Sequence, residues 1–349
     1  MQRQASVVAA RWWHLTGLSG LIRETRRKRG DSPDQPGQAI VWQPRWSPSL
    51  ALLQSVWSAP VPGMRVPLSY VAERDGKPIG LGQLRPRREA HQWEVAYLAV
   101  ETPTSGPTPN LRSVPDRAAS RLLGALCDAG VEQQADRILA RMSDGGGRYE
   151  LFRQLGFSLA VREYSYFHPL AQSAPQPRVS PELLAQRVPG LRPQRRADAH
   201  GLLQLYARNT PKTVQMVEGK RSQSWETAPV GIGKRLTRGS GVQRWVVERE
   251  TEKVGWLQIQ RLARGPHQVR ILVDERASEL NQSLVDFALD LLAGESGGAM
   301  VRAREHQERL ISALEASGFL LVDAQLLMAK MLATPVLQPQ FGRVLEKVV

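Results

Sequence analysis

The sequence predicts an α+β protein made of two tandem copies of one domain. Three observations predict it. The stretch Tyr70-Val-Ala-Glu-Arg-Asp-Gly-Lys-Pro-Ile-Gly-Leu-Gly-Gln-Leu-Arg85 returns, 175 residues later, as Trp245-Val-Val-Glu-Arg-Glu-Thr-Glu-Lys-Val-Gly-Trp-Leu-Gln-Ile-Gln260. Leu151-Phe-Arg-Gln-Leu-Gly-Phe157 is echoed in the same order, 162 residues later, by Ala313-Leu-Glu-Ala-Ser-Gly-Phe319. The 349 residues, 42% of them hydrophobic, are enough for two domains that each bury a core. A repeat unit of this length is a domain and not one turn of a solenoid.

Local patterns place the elements of the first copy. Val7 to Ala10 reads as a strand. Leu15 to Lys28 carries Leu18, Leu21 and Ile22 at helical spacing, and Leu50 to Val56 reads as a second short helix. Strands are expected over Leu68 to Arg74 and Ile79 to Arg85, joined by Asp75-Gly76, a tight-hairpin signal. A strand from Trp93 to Val100 leads into a Pro-rich loop, Thr102 to Pro115. Arg117 to Ala129 then reads as a helix, Arg137 to Met142 as a strand, and Arg148 to Leu155 as a helix stopped by Gly156. Pro169 to Pro189, rich in Pro, Ala, Gln and Ser, reads as a linker.

The second copy repeats this order. Leu191 opens a strand, and Asp198 to Ala207 is a helix. Gln243 to Arg249 and Lys253 to Leu262 make the hairpin, and His267 to Val273 the next strand. Leu280 to Ala293 sets Leu280, Leu284, Phe287, Ala288 and Leu291 on one helix face. Met300 to Arg304 is a strand, Glu308 to Ser317 a helix ended by Gly318, and Leu320 to Leu332 closes the sheet. The expected domains are 1–168 and 190–335, with a linker over 169–189 and a tail over 336–349.

Composition narrows the functional classes. No apolar run reaches membrane-spanning length, and Trp12-Trp13 lies in an amphipathic stretch and not in a secretory leader. Cys127 is the only cysteine, and it reads as a small buried hydrophobe amid Leu122, Leu123 and Leu126. The six histidines show no ligand spacing, so no metal is expected. The reading is a cytoplasmic, bacterial-type protein without membrane contact. The net charge of +14 suits polyanion contact, through the runs Arg23 to Arg29, Arg85 to Arg88 and Arg192 to Arg196. The same arginines also read as an ordinary solvated surface, since no RNA-binding motif with interleaved aromatics accompanies them.

The order strand, helix, helix, three antiparallel strands, helix, strand, helix, two strands resembles the GCN5-related N-acetyltransferase (GNAT) fold. Leu151 to Phe157 is similar to that family's Leu-Tyr-x-Lys-x-Gly-Phe ending, and Val71 to Gly80 to its second and third strands. The resemblance covers most of 6–168 and 190–333. It implies two domains, each a mixed, mostly antiparallel sheet flanked by helices, in which the last strand of one copy completes or abuts the sheet of the other. It implies acetyl-CoA as co-substrate and an amine-bearing small molecule, protein N-terminus or lysine as acceptor.

In that family acetyl-CoA docks where the fourth strand meets the next helix, at Arg/Gln-x-x-Gly-x-Gly/Ala. Backbone N–H groups and a helix N-terminus wrap the pyrophosphate there. The matching segments are Val114-Pro-Asp-Arg-Ala-Ala119 and Arg276-Ala-Ser-Glu-Leu-Asn281, both departing from the pattern. The resemblance implies cofactor contacts from Leu98, Val100, Arg117, Ala118 and Ala119 in the first copy, and from Leu272, Val273, Arg276 and Asn281 in the second. Glu279 would set a carboxylate beside the pyrophosphate. Phe152 and Leu314 stand where the family often has its Tyr acid, and neither can donate a proton. Tyr149 is the substitute acid. Glu94 is the candidate base, on the strand face opposite Trp93, Val95 and Tyr97. His267, Asp274, Glu101 and His306 are weaker candidates. Trp225, Trp245 and Trp256 read as core, or as the lining of a cleft. At most one copy is expected to be active. The alternatives are a silent GNAT-like binding or scaffold protein, or a basic RNA- or ribosome-associated protein. The fall in offset leaves 13 extra residues in copy one. Most are expected in the loop Thr102 to Pro115, leading to the cofactor turn.

Overall fold

A computed structural model describes residues 6–11, 14, 66–87, 89, 91–100, 114–144, 148–170, 181, 185–226, 241–263 and 265–332. The expected helices Leu15 to Lys28 and Leu50 to Val56 lie outside these residues. So do most of the Pro-rich loop and linker, and the tail 336–349. The chain divides into two compact units. One holds the described residues up to Ile138 together with 330–332, and the other holds Leu139–Ala329.

In the first unit, strands β1 (Ser6–Ala9), β2 (Leu68–Arg74), β3 (Lys77–Pro86) and β4 (Gln92–Val100) form an antiparallel meander. Asp75 and Gly76 make the β2–β3 turn, both at positive φ (51° and 73°), as an Asp-Gly hairpin requires. Helix α1 (Val114–Glu132) packs on this sheet through Leu122 and Leu126, both fully buried. Glycine on β3 permits the approach: a Cβ on Gly80 would meet Leu122 Cδ1 at 3.0 Å. Cys127 is buried on the same helix.

Strand β5 (Arg137–Ser143) runs from the first unit into the second, followed by α2 (Tyr149–Gln154) and β6 (Ser158–His168). The second copy supplies β7 (Leu191–Pro193), α3 (Ala199–Arg208), α4 (Lys212–Glu218), β8 (Val242–Arg249), β9 (Glu252–Gln260) and β10 (His267–Val273). It ends with α5 (Leu280–Leu292), β11 (Ala299–Arg304), α6 (Glu308–Ala316) and β12 (Leu320–Met331). Helix α4 is an element that the sequence pattern did not give. Helix α1 begins at Val114 and not at Arg117, so the segment Val114 to Ala119, expected as the cofactor turn, is already helical; elsewhere the described elements fall where the patterns put them.

The strand order in the second unit is β5-β12-β6-β11-β10-β9-β8-β7. Strand β6 comes from the first copy, yet it lies between β11 and β12 of the second. Its antiparallel pairs run from His168↔Ala299 to Glu163↔Arg304 on one side, and from Phe167↔Leu320 to Ser158↔Ala329 on the other. Both faces of the sheet are covered. On one side Trp245, Val247, Leu257, Ile259, Leu284 and Phe287 pack into a core that also takes Tyr166 of β6. On the other, Leu202, Leu205, Tyr206, Trp225, Val246 and Trp256 pack together. All three tryptophans are therefore core residues. Among the described residues no helix is long and apolar enough to cross a membrane.

A chain beginning at residue 186 lacks β5 and β6, which leaves β11 with an open edge and β12 with no neighbour. Such a chain should aggregate and show no cooperative thermal transition by circular dichroism. A chain beginning at residue 149 keeps α2 and β6 and should recover a cooperative transition.

Candidate functional site

The two copies differ at the junction between the fourth strand and the following helix. In the first copy, β4 pairs with β3 as Gln83↔Tyr97 and then Leu84↔Val95, so Ala96 is an extra residue with no opposite number. It is the one partly exposed residue in a strand otherwise buried from end to end. Such a bulge leaves ladder groups unpaired and re-aims the chain beside it. It also shifts the two-residue alternation, so Tyr97 does not continue the face of Trp93 and Val95. Leu98 and Val100 follow, both buried.

Glu94 is 1% exposed. Its carboxylate accepts from Arg85 Nη2 at 2.8 Å and lies 3.9 Å from Arg87 Nη1. At the start of α1, Arg117 is exposed, while Ala118 and Ala119 are buried and small. Among the described residues no carboxylate pairs with Arg117. Tyr149 stands 36% exposed at the first position of α2, and Phe152 is fully buried against Phe157. Glu94, Leu98, Val100 and Arg117 to Ala119 all lie in the first unit, and Tyr149 in the second.

In the second copy, β10 runs beside β9 without a bulge. It pairs in parallel with β11 only over His267 to Val269, and the two strands part beyond that. Leu272 is buried and Val273 partly so. The turn that follows is closed by its own side chains. Buried Asp274 accepts from the Arg276 backbone N–H and from Arg276 Nε, both at 3.1 Å, and from Arg208 Nε at 3.2 Å. The Glu275 N–H donates to Asn209 Oδ1 at 2.9 Å, and the Ala277 N–H to the Asp274 carbonyl.

Arg276 itself folds back onto Asp274 and Glu252. These bonds hold the Asp274 carboxyl below the usual range and push the Arg276 guanidinium above its own. Glu279 accepts from its own backbone N–H and pairs with Arg249 at 2.7 Å, and both lower its pKa. Asn281 turns its amide onto the Ser278 carbonyl. Buried His267 is spent as an acceptor, its Nδ1 taking the Leu262 N–H at 3.1 Å. Burial lowers the pKa of His306.

The whole architecture has counterparts among solved structures. A tandem GNAT protein from the clavulanic acid biosynthesis pathway matches over 94% of this chain and 98% of its own, with a TM-score of 0.51 at 14% identity. A GCN5-related N-acetyltransferase from Sphaerobacter thermophilus matches over 94% and 95%, with a TM-score of 0.52 at 13% identity. This is the tandem GNAT fold. No family model matches the sequence, and no curated protein is similar to it.

The second unit also holds a buried charge network, shared by strands of both copies, that sequence reasoning missed. Glu163 of β6 accepts from Arg141 Nε at 2.8 Å, with Arg304 Nε at 3.6 Å and Arg302 Nη1 at 3.9 Å. Arg304 also bonds Glu218, which accepts from the Tyr206 hydroxyl at 2.7 Å and lies 3.3 Å from Lys220 Nζ. The one available signal was Arg302 and Arg304 alternating with apolar Val301 and Ala303 on a strand. Among the described residues no group of histidines, cysteines and carboxylates could hold a metal ion.

Among the described residues of the arginine runs, Arg85, Arg87 and Arg192 are spent on carboxylates, while Arg195 and Arg196 are exposed. Arg192 makes a two-pronged contact with Asp198 at 2.7 and 2.8 Å and also holds Glu248. Arg85 and Arg87 serve Glu94. The run Arg23 to Arg29 lies outside the described residues. Hydrogen bonding to Arg192 holds the Asp198 carboxyl down at about 2.

Burial alone would raise the pKa of Glu163, but the charges of Arg141, Arg302 and Arg304 outweigh it and hold the group at about 2, against an ordinary 4.5. The folded state thus binds fewer protons than the unfolded chain between these values. The stabilisation is complete above about pH 5 and is lost as the pH falls towards 2. Glu163→Gln should therefore cost about 3–5 kcal/mol at neutral pH, read by urea unfolding, because it strands buried guanidinium groups. The gap to wild type should narrow steadily as the pH falls from 4.5 to 2.

Proposed function

We propose that this protein is an acyl-CoA-dependent N-acyltransferase, with acetyl-CoA as donor and an amine as acceptor, and that the first GNAT copy carries the reaction. One contrast supports the assignment most. The first copy carries a bulge at Ala96 of β4, the strand that precedes α1, where the second copy has an unbroken strand and a turn closed by Asp274, Arg276 and Glu279. A pyrophosphate needs backbone N–H groups and positive charge together. In the second copy the donors of Glu275, Arg276 and Ala277 already have acceptors, and its arginine is bound by carboxylates. In the first, Arg117, the fourth residue of α1, supplies an exposed cation in the first turn of the helix, where the backbone N–H groups have no intrahelical acceptor.

In this reading the bound thioester supplies the activated acyl group. Backbone N–H groups from Ala96 to Val100 orient its carbonyl and stabilise the developing oxyanion. The α1 N-terminus, with Arg117 in its first turn, holds the phosphates, and buried Ala118 and Ala119 pack that turn against the core. The amine attacks in its neutral form, and a proton returns to the departing thiolate. Glu94, buried and bound by Arg85, sets the arginine beside the bulge and does not act as the base. The copies would then correspond to the domains 1–168 and 190–335, with one of them active. The closed turn of the second copy favours the silent reading for that half alone.

Calorimetry with acetyl-CoA tests this. We expect one site per chain. Arg117→Glu should weaken binding by about tenfold or more, while Arg276→Glu should leave it unchanged. No heat at near-millimolar ligand would make both copies silent. Weakening by Arg276→Glu alone would move the site to the second copy.

A further inference from the structure

The ammonium of Lys220 sits in a ready-made recognition site. Its Nζ lies 4.5 Å from the centre of the Tyr206 ring and 5.0 Å from that of Trp225, with Glu218 Oε2 at 3.3 Å. Two aromatic faces and a carboxylate around one cation are the chemistry that selects aliphatic ammonium groups. The chain is shaped to deliver this occupant. Helix α4 ends at Glu218, Gly219 turns back at a φ of 53°, and Lys220 folds over the residue two before it. The cage does not depend on the lysine for its form. Glu218 is also held by Tyr206 and Arg304, and Trp225 is fixed against Trp256 at 5.1 Å.

Desolvation lowers the pKa of Lys220, so the buried charge is held against a cost. A buried ion pair is seldom worth more to stability than an apolar residue of the same volume. The Lys220 charge helps hold Glu218 ionised, and any ammonium in the same place would do the same. The lysine side chain remains 26% exposed, and its stem is long and unbranched, so it has a route out to solvent.

We propose that Tyr206, Trp225 and Glu218 form an ammonium-binding cage in the second copy, of which Lys220 is a tethered occupant that yields to a free aliphatic ammonium. The incoming cation replaces the charge that leaves, so the Glu218 network stays balanced. A tethered group competes at high effective concentration, which sets a threshold for the free one. The site is independent of acyl transfer by the first copy.

Lys220→Ala removes the side chain beyond Cβ, and n-propylammonium replaces what is lost. Calorimetry and tryptophan fluorescence should show saturable binding of n-propylammonium to Lys220→Ala. Binding should be weaker by about tenfold or more in Lys220→Ala with Glu218→Gln and in the wild type. A folded Lys220→Ala that binds nothing, or binding indifferent to Glu218→Gln, overturns the proposal. A second measurement uses the unaltered protein. Tetramethylammonium should speed acetylation of Lys220 by succinimidyl acetate about threefold or more over potassium at equal ionic strength, measured by mass spectrometry against exposed Lys212. An unchanged Lys220 rate overturns the proposal, and this result decides alone if Lys220→Ala does not fold.

Discussion

The pairing of β6 with β11 on one side and β12 on the other is the constraint on which the second unit depends. Backbone N–H and C=O groups buried in a sheet must find partners, and a strand between two others satisfies both its edges at once. Strand β6 also brings Tyr166 into the main core and Glu163 into the arginine network. Hydrogen-bond ladder, apolar core and charge network thus meet on one strand. Tyr166 and Glu163 lie on opposite faces of it, as the alternation of a pleated strand requires.

The turn after β10 is closed by its own side chains without altering the fold around it. A phosphate loop and an Asp-capped turn offer the same backbone donors, and what differs is the anion that takes them. Here the anions are Asp274 and Glu279, tied to Arg276, Arg208 and Arg249. The helix behind the turn is unaffected. Leu284 of α5 lies beneath Gly255 much as Leu122 of α1 lies beneath Gly80.

Much of the architecture was legible in the sequence because it is written in short-range chemistry. Asp75-Gly76 gives a turn that needs two positive φ values, and Gly156 and Gly318, at 83° and 80°, stop matching helices. The equivalent turn of the second hairpin uses Glu250 and Thr251 at positive φ, so there the repeat and not the turn chemistry identified it. Pairing between residues 131 positions apart, as His168 with Ala299, has no local signature. Nor has a bulge: Ala96 looks like any strand residue, and only the register shows that it stands alone. Alternation sets Glu94 on the face opposite Trp93 and Val95, but only the structure shows that it is buried and bound by Arg85, nine residues away. The closure of the second turn required knowing where Arg208 and Asn209 return in space. The Lys220 cage required the same of Trp225.

The interleaving of β6 has an evolutionary consequence. In an ordinary tandem protein, a copy that has lost its ligand is free to decay or be deleted. Here the second copy is the partner of a strand from the first, so deletion would strand that segment even if nothing bound to the second copy at all. Selection on one half therefore preserves the frame of the other while leaving its loops free to change. The ratchet of duplication can turn only one way: a silent half becomes a fixture, and its unused surfaces become material for new binding.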